Sequence, residues 1–254
     1  NLLYNLGSRV SVTDNQDSDS TRLNASRIKS KEIRVELGRH TKGFIQNKDI
    51  VVASPGVAND AQPIIWAKEF KIPVISEIEL AWILCPATVI AVTGSNGKTT
   101  VTTLIGKILQ AQRKRVFVCG NIGNPFSSEV EKMSEGDYVS LEVSSFQLEG
   151  IDKFKPKISV ILNFTRNHLD RYKNMQEYLQ AKKRIFMNQD KSDYLILNSE
   201  DPVVRELGKE TAAHAIYFSQ DKELNPNQAA VLTIASILGI DKEPVLNVVR
   251  EFKG

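Results

Sequence analysis

The apolar positions of this chain follow two rhythms. Short runs rich in valine, isoleucine and other strand-favouring residues stand at 89–93, 115–119, 138–143, 160–164, 194–198 and 215–218. Between and beyond them the apolar spacing lengthens to about 3.6 residues, which predicts helices over 98–112, 174–187, 201–207, 227–238 and 244–252. Strands alternating with helices predict an α/β fold: a mostly parallel sheet with helices on both faces. Ahead of this region the elements are shorter. Residues 2–8 read as the end of a helix with Gly7 as its cap. Strands are predicted at 9–14, 33–38, 49–53 and 73–76, and helices at 62–70 and 77–84. Cys85-Pro86 reads as a break, so the expected domains are 1–86 and 87–254.

The 89–93 run stops at a glycine and continues as Gly94-Ser95-Asn96-Gly97-Lys98-Thr99-Thr100 into the next helix. A strand, a tight turn and a helix N-terminus aim several backbone N–H groups into one hollow, where the helix dipole adds positive charge. A polyphosphate suits such a hollow, with Lys98 against the outer phosphates and the Thr99 hydroxyl within reach of magnesium. The general phosphate-loop pattern wants a glycine where Val92 stands, so an ordinary turn with a chance Gly-Lys-Thr is the alternative.

Composition narrows this little. Hydrophobic content of 41% and charged content of 25% are those of a soluble globular protein. A net charge of +3 without like-charge blocks argues against nucleic acid. No apolar run approaches the roughly 18 residues of a membrane span. The N-terminus lacks the charged region of a signal peptide. Cys85 and Cys119 lack metal spacing and read as free thiols in a reducing cytoplasm.

Other candidate residues sit where strands end. Asp14 closes the 9–14 strand; in a nucleotide-binding βαβ unit it would accept a hydrogen bond from a ribose or base, and otherwise it is a turn residue. That unit needs an earlier strand, so the chain is expected to begin inside a domain. Ser54-Pro55-Gly56 and Gly120-Asn121-Ile122-Gly123 are loops suited to close ligand approach, or plain turns. Glu142, near the end of an apolar strand, is either a magnesium ligand or a solvated acid. His168 lies after a third strand; alone it would be read as structural.

The helix from 174 is more telling. Met175, Tyr178, Leu179, Lys182, Ile185 and Phe186 share one face, so Lys182 lies on an apolar stripe while Lys183 turns away. A desolvated lysine has a depressed pKa and a reactive neutral amine, the form that makes a carbamate with carbon dioxide. The alternative is a snorkelling side chain.

Together these pieces resemble the Mur ligases, in particular the branch carrying Glu142-Val143-Ser144-Ser145-Phe146-Gln147-Leu148-Glu149 and His168-Leu169-Asp170-Arg171-Tyr172. The resemblance covers nearly the whole chain. It implies a Rossmann-like first domain and a central ATP-binding domain of the phosphate-loop type. The implied activity is ATP-dependent joining of D-glutamate to UDP-N-acetylmuramoyl-L-alanine through an acyl phosphate, by a cytoplasmic monomer. Implied ATP contacts are Gly94, Ser95, Asn96, Gly97, Lys98, Thr99, Thr100 and Asn227. Implied ligands of two magnesium ions are Thr99, Glu142, His168 and a carbamylated Lys182. Asn121, Ser144 and Gln147 would contact the muramoyl substrate, with Asp14 and Ser54 at its uridine diphosphate end. Catalysis would fall to Lys98, Glu142, His168 and Lys182. The family's third domain, with the D-glutamate site, is not in this sequence, so a fragment is expected. Arg166-Asn167 replaces an acid common before the histidine, and 218–227 is shorter than in the family. A related ligase for another amino acid or a folate, and a nucleotide-binding module without ligase activity, are the competing readings.

Overall fold

The computed structural model describes residues 1–28, 30, 32–166, 171–220 and 222–252. Its strands are β1 (Ser11–Thr13), β2 (Arg34–Glu36), β3 (Val51–Ala53), β4 (Val74–Ser76), β5 (Thr88–Thr93), β6 (Val116–Gly120), β7 (Tyr138–Glu142), β8 (Ile158–Ile161), β9 (Tyr194–Asn198) and β10 (His214–Phe218). The chain divides into two compact units, Asn1–Ile75 and Ser76–Gly254.

In the first unit β1 pairs parallel with β2, and β3 pairs with β4 as a separate two-stranded sheet. Its buried centre is small: Ile45, Ala67 and Ile72. Helices Asp19–Ser26 and Lys42–Ile45 escape the apolar pattern. The first buries no residue, so it carries no stripe; Ser18 marks its start by a capping box with Thr21.

The second unit is built on a six-stranded sheet in the order β10-β9-β8-β5-β7-β6, with parallel pairing throughout. The β5 run is apolar on both sides because both sides are covered. Val89 and Ala91 join one buried layer, with Ile78, Phe126, Leu148 and Phe154; Ile90 and Val92 join the other, with Leu104, Ile105, Ile234 and Val249. The two layers are the two helical faces expected from the alternation.

The sequence break at Cys85-Pro86 lies later than the division between units. The Glu77–Ile83 helix goes with the second unit, whose core takes its Ile78 and Ala81. Two other elements differ. The 160–164 strand is instead β8, ending at Ile161, and the 174–187 helix is Met175–Lys183 followed by a tighter turn, Arg184–Phe186. The short helices Phe126–Glu129 and Ser145–Glu149 give too few turns for a periodic signal. Cys119 is fully buried and Cys85 half-buried, both as free thiols. Burial pushes the Cys119 thiol far above its ordinary range, which leaves it unreactive.

Candidate active site

Chain order and sheet order diverge around β5. From β5 the chain runs to the β6 edge, returns through β7, and then passes to β8 on β5's other side. Such a switch point opens a crevice at the carboxyl ends of the strands, where open α/β sheets bind ligands. The segment Gly94–Gly97 and the start of the Lys98–Ala111 helix occupy it. Gly97 has a left-handed backbone, φ +81°, and a Cβ there would come within 2.4 Å of Asn227 Oδ1. Both facts require glycine. The second also puts Asn227 against the loop.

The loop's own hydrogen bonds decide which groups can face a ligand. The Ser95 N–H donates to the Asn163 carbonyl at 3.1 Å, and the Asn96 N–H to Asn163 Oδ1 at 2.8 Å. The Ser95 hydroxyl donates to the Thr165 carbonyl at 3.1 Å and accepts the Thr165 N–H at 2.9 Å. Ser95 and Asn96 are therefore committed to the chain leaving β8. The amides of Lys98, Thr99 and Thr100 lie in the first helical turn, where there is no intrahelical acceptor. These point to the anion hollow. Lys98 Nζ lies on the Gly94 and Ser95 carbonyls at 3.1 and 3.2 Å. Burial lowers its pKa, and the charge of Glu142 works the other way.

Glu142, at the end of β7, is 2% exposed. The Thr99 hydroxyl donates to its Oε2 at 2.8 Å and Asn121 Nδ2 to its Oε1 at 2.8 Å. No basic side chain forms an ion pair with it among the described residues. A buried carboxylate held by two neutral donors retains lone pairs that neither donor uses. With the Thr99 hydroxyl it offers the hard oxygens that magnesium prefers, so these residues fit that ion. No group of three or more His, Cys, Asp or Glu stands together among the described residues.

Lys182 is 2% exposed. Its Nζ donates to the Gly94 carbonyl at 2.9 Å and lies 4.6 Å from the centre of the Tyr178 ring. The helical stripe thus delivers the lysine to the loop. Burial, and then the charge of Lys98, lower its pKa to about 7. Lys183 turns away and pairs with Glu210. Because the folded pKa lies below the unfolded one, the unfolded chain binds the extra proton between about pH 7 and 10.5, and stability rises with pH across that window. Lys182→Met is accordingly expected to stabilise the fold by about 1–3 kcal/mol at pH 6, the gain shrinking as pH climbs. Urea unfolding in carbonate-free buffers checks this; an equal gain at pH 6 and pH 10 would refute the desolvation argument.

Other sequence candidates divide into two groups. Ser144 and Gln147 form a capping box on the Ser145–Glu149 helix: Ser144 Oγ accepts the Gln147 N–H at 3.3 Å, and Gln147 Oε1 accepts the Ser144 N–H at 3.0 Å. They stand just past Glu142 on the same edge. Asp14 and Ser54 lie in the first unit, each after a strand. Asp14 Oδ1 accepts the Gln16 N–H at 2.9 Å, closing a turn, and exposed Ser54 opens a turn through its carbonyl, 3.0 Å from the Val57 N–H. His168 lies outside the described residues. Sequence reasoning passed over Asn163, Thr165 and Tyr178. Tyr178 was legible, one turn before Lys182 on the same stripe; its hydroxyl is 3.4 Å from Ser95 Oγ.

A family model described as the Mur ligase middle domain matches residues 92–236. The UDP-N-acetylmuramoylalanine–D-glutamate ligase of Geotalea daltonii is 44% identical over 223 residues, covering 88% of this chain and 49% of the relative. Its namesake from Thermoanaerobacter pseudethanolicus is 40% identical over 230 residues, 91% of this chain and 50% of the relative. The chain therefore spans about half the length of the curated relatives it matches. Among solved structures, the UDP-N-acetylmuramate-alanine ligase MurC of Thermotoga maritima superposes with TM-score 0.57 at 22% identity, covering 99% of this chain and 64% of that one. A pseudomurein peptide ligase type C of Methanothermus fervidus gives 0.54 at 18% identity, covering 100% and 67%. At such identities the likeness speaks for the fold alone.

Proposed function

The chain belongs to the Mur ligase family, and from that premise we propose that it is part of an ATP-dependent ligase joining D-glutamate to UDP-N-acetylmuramoyl-L-alanine in peptidoglycan precursor synthesis. The relatives' shared activity supports the substrate pair. The observation that carries the chemistry is the convergence of Lys98, Thr99, Glu142 and Lys182 on one strand edge, within hydrogen-bond reach of one another or of the Gly94 carbonyl.

The first-turn amides of the Lys98–Ala111 helix would bind the ATP phosphates, with Asn227 near the adenine. The Lys98 ammonium would leave the loop carbonyls for the outer phosphates and offset charge on the transferred phosphoryl group. Thr99 and Glu142 would hold a first magnesium ion; His168 and a carbamylated Lys182 would hold a second. Magnesium in these sites would neutralise phosphate charge and align the phosphoryl group with the acceptor carboxylate. Asn121, Ser144 and Gln147 would orient that alanyl carboxylate, and Asp14 and Ser54 the uridine diphosphate. The resulting acyl phosphate is attacked by the D-glutamate amine, and phosphate leaves. Water must be kept from the acyl phosphate, which walls such as the buried Tyr178 and the half-buried Phe164 packed against it would favour. D-glutamate recognition belongs to the rest of the parent protein, proposed as a cytoplasmic monomer. No helix among the described residues is long and apolar enough to cross a membrane.

The test is phosphate release by the full-length protein with ATP, magnesium, the muramoyl nucleotide and a panel of amino acids. Release that requires D-glutamate is expected. Faster release with another amino acid, or release indifferent to the amine, would overturn the assignment.

A further inference from the structure

We infer that Asn163 is a positioning residue for the phosphate-binding loop: its carboxamide extends the β5–β8 pairing past the end of the sheet and fixes the Asn96 peptide away from the anion hollow. The inference rests on reading that loop as the ATP site.

The regular pairing ends at Thr93 opposite Ile161, with one further bond from the Leu162 N–H to the Thr93 carbonyl at 3.0 Å. Beyond it, main chain and side chain take over in turn. The Asn163 carbonyl accepts the Ser95 N–H at 3.1 Å. Its side chain then pairs with both main-chain polar groups of one residue: Oδ1 accepts the Asn96 N–H at 2.8 Å, and Nδ2 donates to the Asn96 carbonyl at 3.1 Å. Only one orientation of the amide satisfies both, because a flip would set donor against donor and acceptor against acceptor. Asparagine thus acts here as a strand residue made from a side chain.

The brace is itself held. Asn198 Nδ2 donates to the Leu162 carbonyl at 3.0 Å, and Asp201 Oδ2 accepts the Phe164 N–H at 2.6 Å. Asn198 ends β9 and Asp201 caps the helix that follows it. A Cβ at Gly94 would lie 3.0 Å from Leu162 Cβ and 3.4 Å from the Asn163 nitrogen, so the loop and the β8 exit are in direct contact. Removing the carboxamide frees the Asn96 peptide to rotate. Its carbonyl can then turn toward the hollow and set a negative dipole against phosphate.

The experiment compares the protein with Asn163→Ala. Affinities for a non-hydrolysable ATP analogue with magnesium and for adenosine are measured, together with amide exchange at Asn96. The expected result is an analogue affinity about tenfold weaker, the order of one or two lost hydrogen bonds, with adenosine unchanged and Asn96 exchange faster. A merely structural loss would weaken both ligands alike, and that outcome, or analogue binding within about twofold of the unaltered protein, overturns the inference. If the unaltered protein binds no analogue, the ATP reading falls and this inference with it. Should Asn163→Ala not fold, the unaltered protein decides: a protected Asn96 amide supports the brace, and an amide exchanging at the free rate overturns it.

Discussion

Lys98→Ala in the full-length ligase is expected to lower ATP turnover by about a hundred- to a thousandfold, the range for removing one preorganised charge-stabilising donor. The expectation follows from where the ammonium lies. It rests on the carbonyls of Gly94 and Ser95, 3.1 and 3.2 Å away, beside amides with no intrahelical acceptor. Those carbonyls are weak partners for a half-buried charge, and phosphate oxygens are stronger ones. On the proposed reading, ATP would draw the lysine from a poor site to a good one without rebuilding the loop, whose form is set by Gly97 and the bonds to Asn163 and Thr165. The fold should survive, because Lys98 takes no part in either buried layer. Lys98→Arg keeps the charge but not the reach, and should recover only part of the rate. Steady-state phosphate release at saturating substrates is the measurement; a loss smaller than about tenfold would mean that the charge is supplied elsewhere. The change also acts on Lys182, whose pKa is lowered partly by Lys98. With Lys98 gone, that pKa should rise while burial still holds it below the ordinary value.

Residues whose role depends on local spacing were legible. The β5 strand, Gly97 and the helix that follows could be read from one stretch, because strand, turn and helix start are local events. Lys182 could be read from an apolar stripe, and the structure buries it as the stripe requires. Roles made by distant backbone were not. Asn163 and Thr165 serve the loop across a separation of 67 and 70 residues, and no periodicity in either segment records it. Ser144 and Gln147 are an instructive middle case. The spacing of Ser144-Ser145-Phe146-Gln147 is that of a capping box, while the family resemblance implies substrate contacts for Ser144 and Gln147. The structure gives both residues that structural task. The compact units divide at Ser76, ahead of the turn that Pro86 marks, because the contacts of the Glu77–Ile83 helix lie far downstream.

Those downstream contacts carry the second large effect: Glu79→Ala is expected to cost about 3–5 kcal/mol of stability, the scale of an uncompensated buried polar site. Glu79 reads as an unremarkable helix acid, yet it is 1% exposed. Its Oε2 accepts the N–H groups of Asp152 and Phe154 at 3.0 and 2.9 Å, and its Oε1 that of Lys153 at 2.8 Å. Alanine would strand three amides together with a cavity. Glu79→Gln keeps one acceptor but points an NH₂ at the remaining donors, so it should recover only part of the loss. Trp82 gives the readout, since its ring meets Phe154 edge-on at 6.2 Å; Trp66→Phe removes the other tryptophan. Urea unfolding followed by that fluorescence should show a lower midpoint with Ala than with Gln. A loss below about 1 kcal/mol for Ala would show that water replaces the carboxylate. The consequence reaches the candidate substrate helix. The Ser76 N–H donates to the Gly150 carbonyl at 2.8 Å and Arg184 Nε to that of Leu148 at 2.7 Å, so Glu79 completes a set that fixes the chain leaving Ser145–Glu149. Where Glu79→Ala remains folded, binding of the muramoyl nucleotide should weaken while the Lys98 loop, braced separately from β8, still takes the ATP analogue.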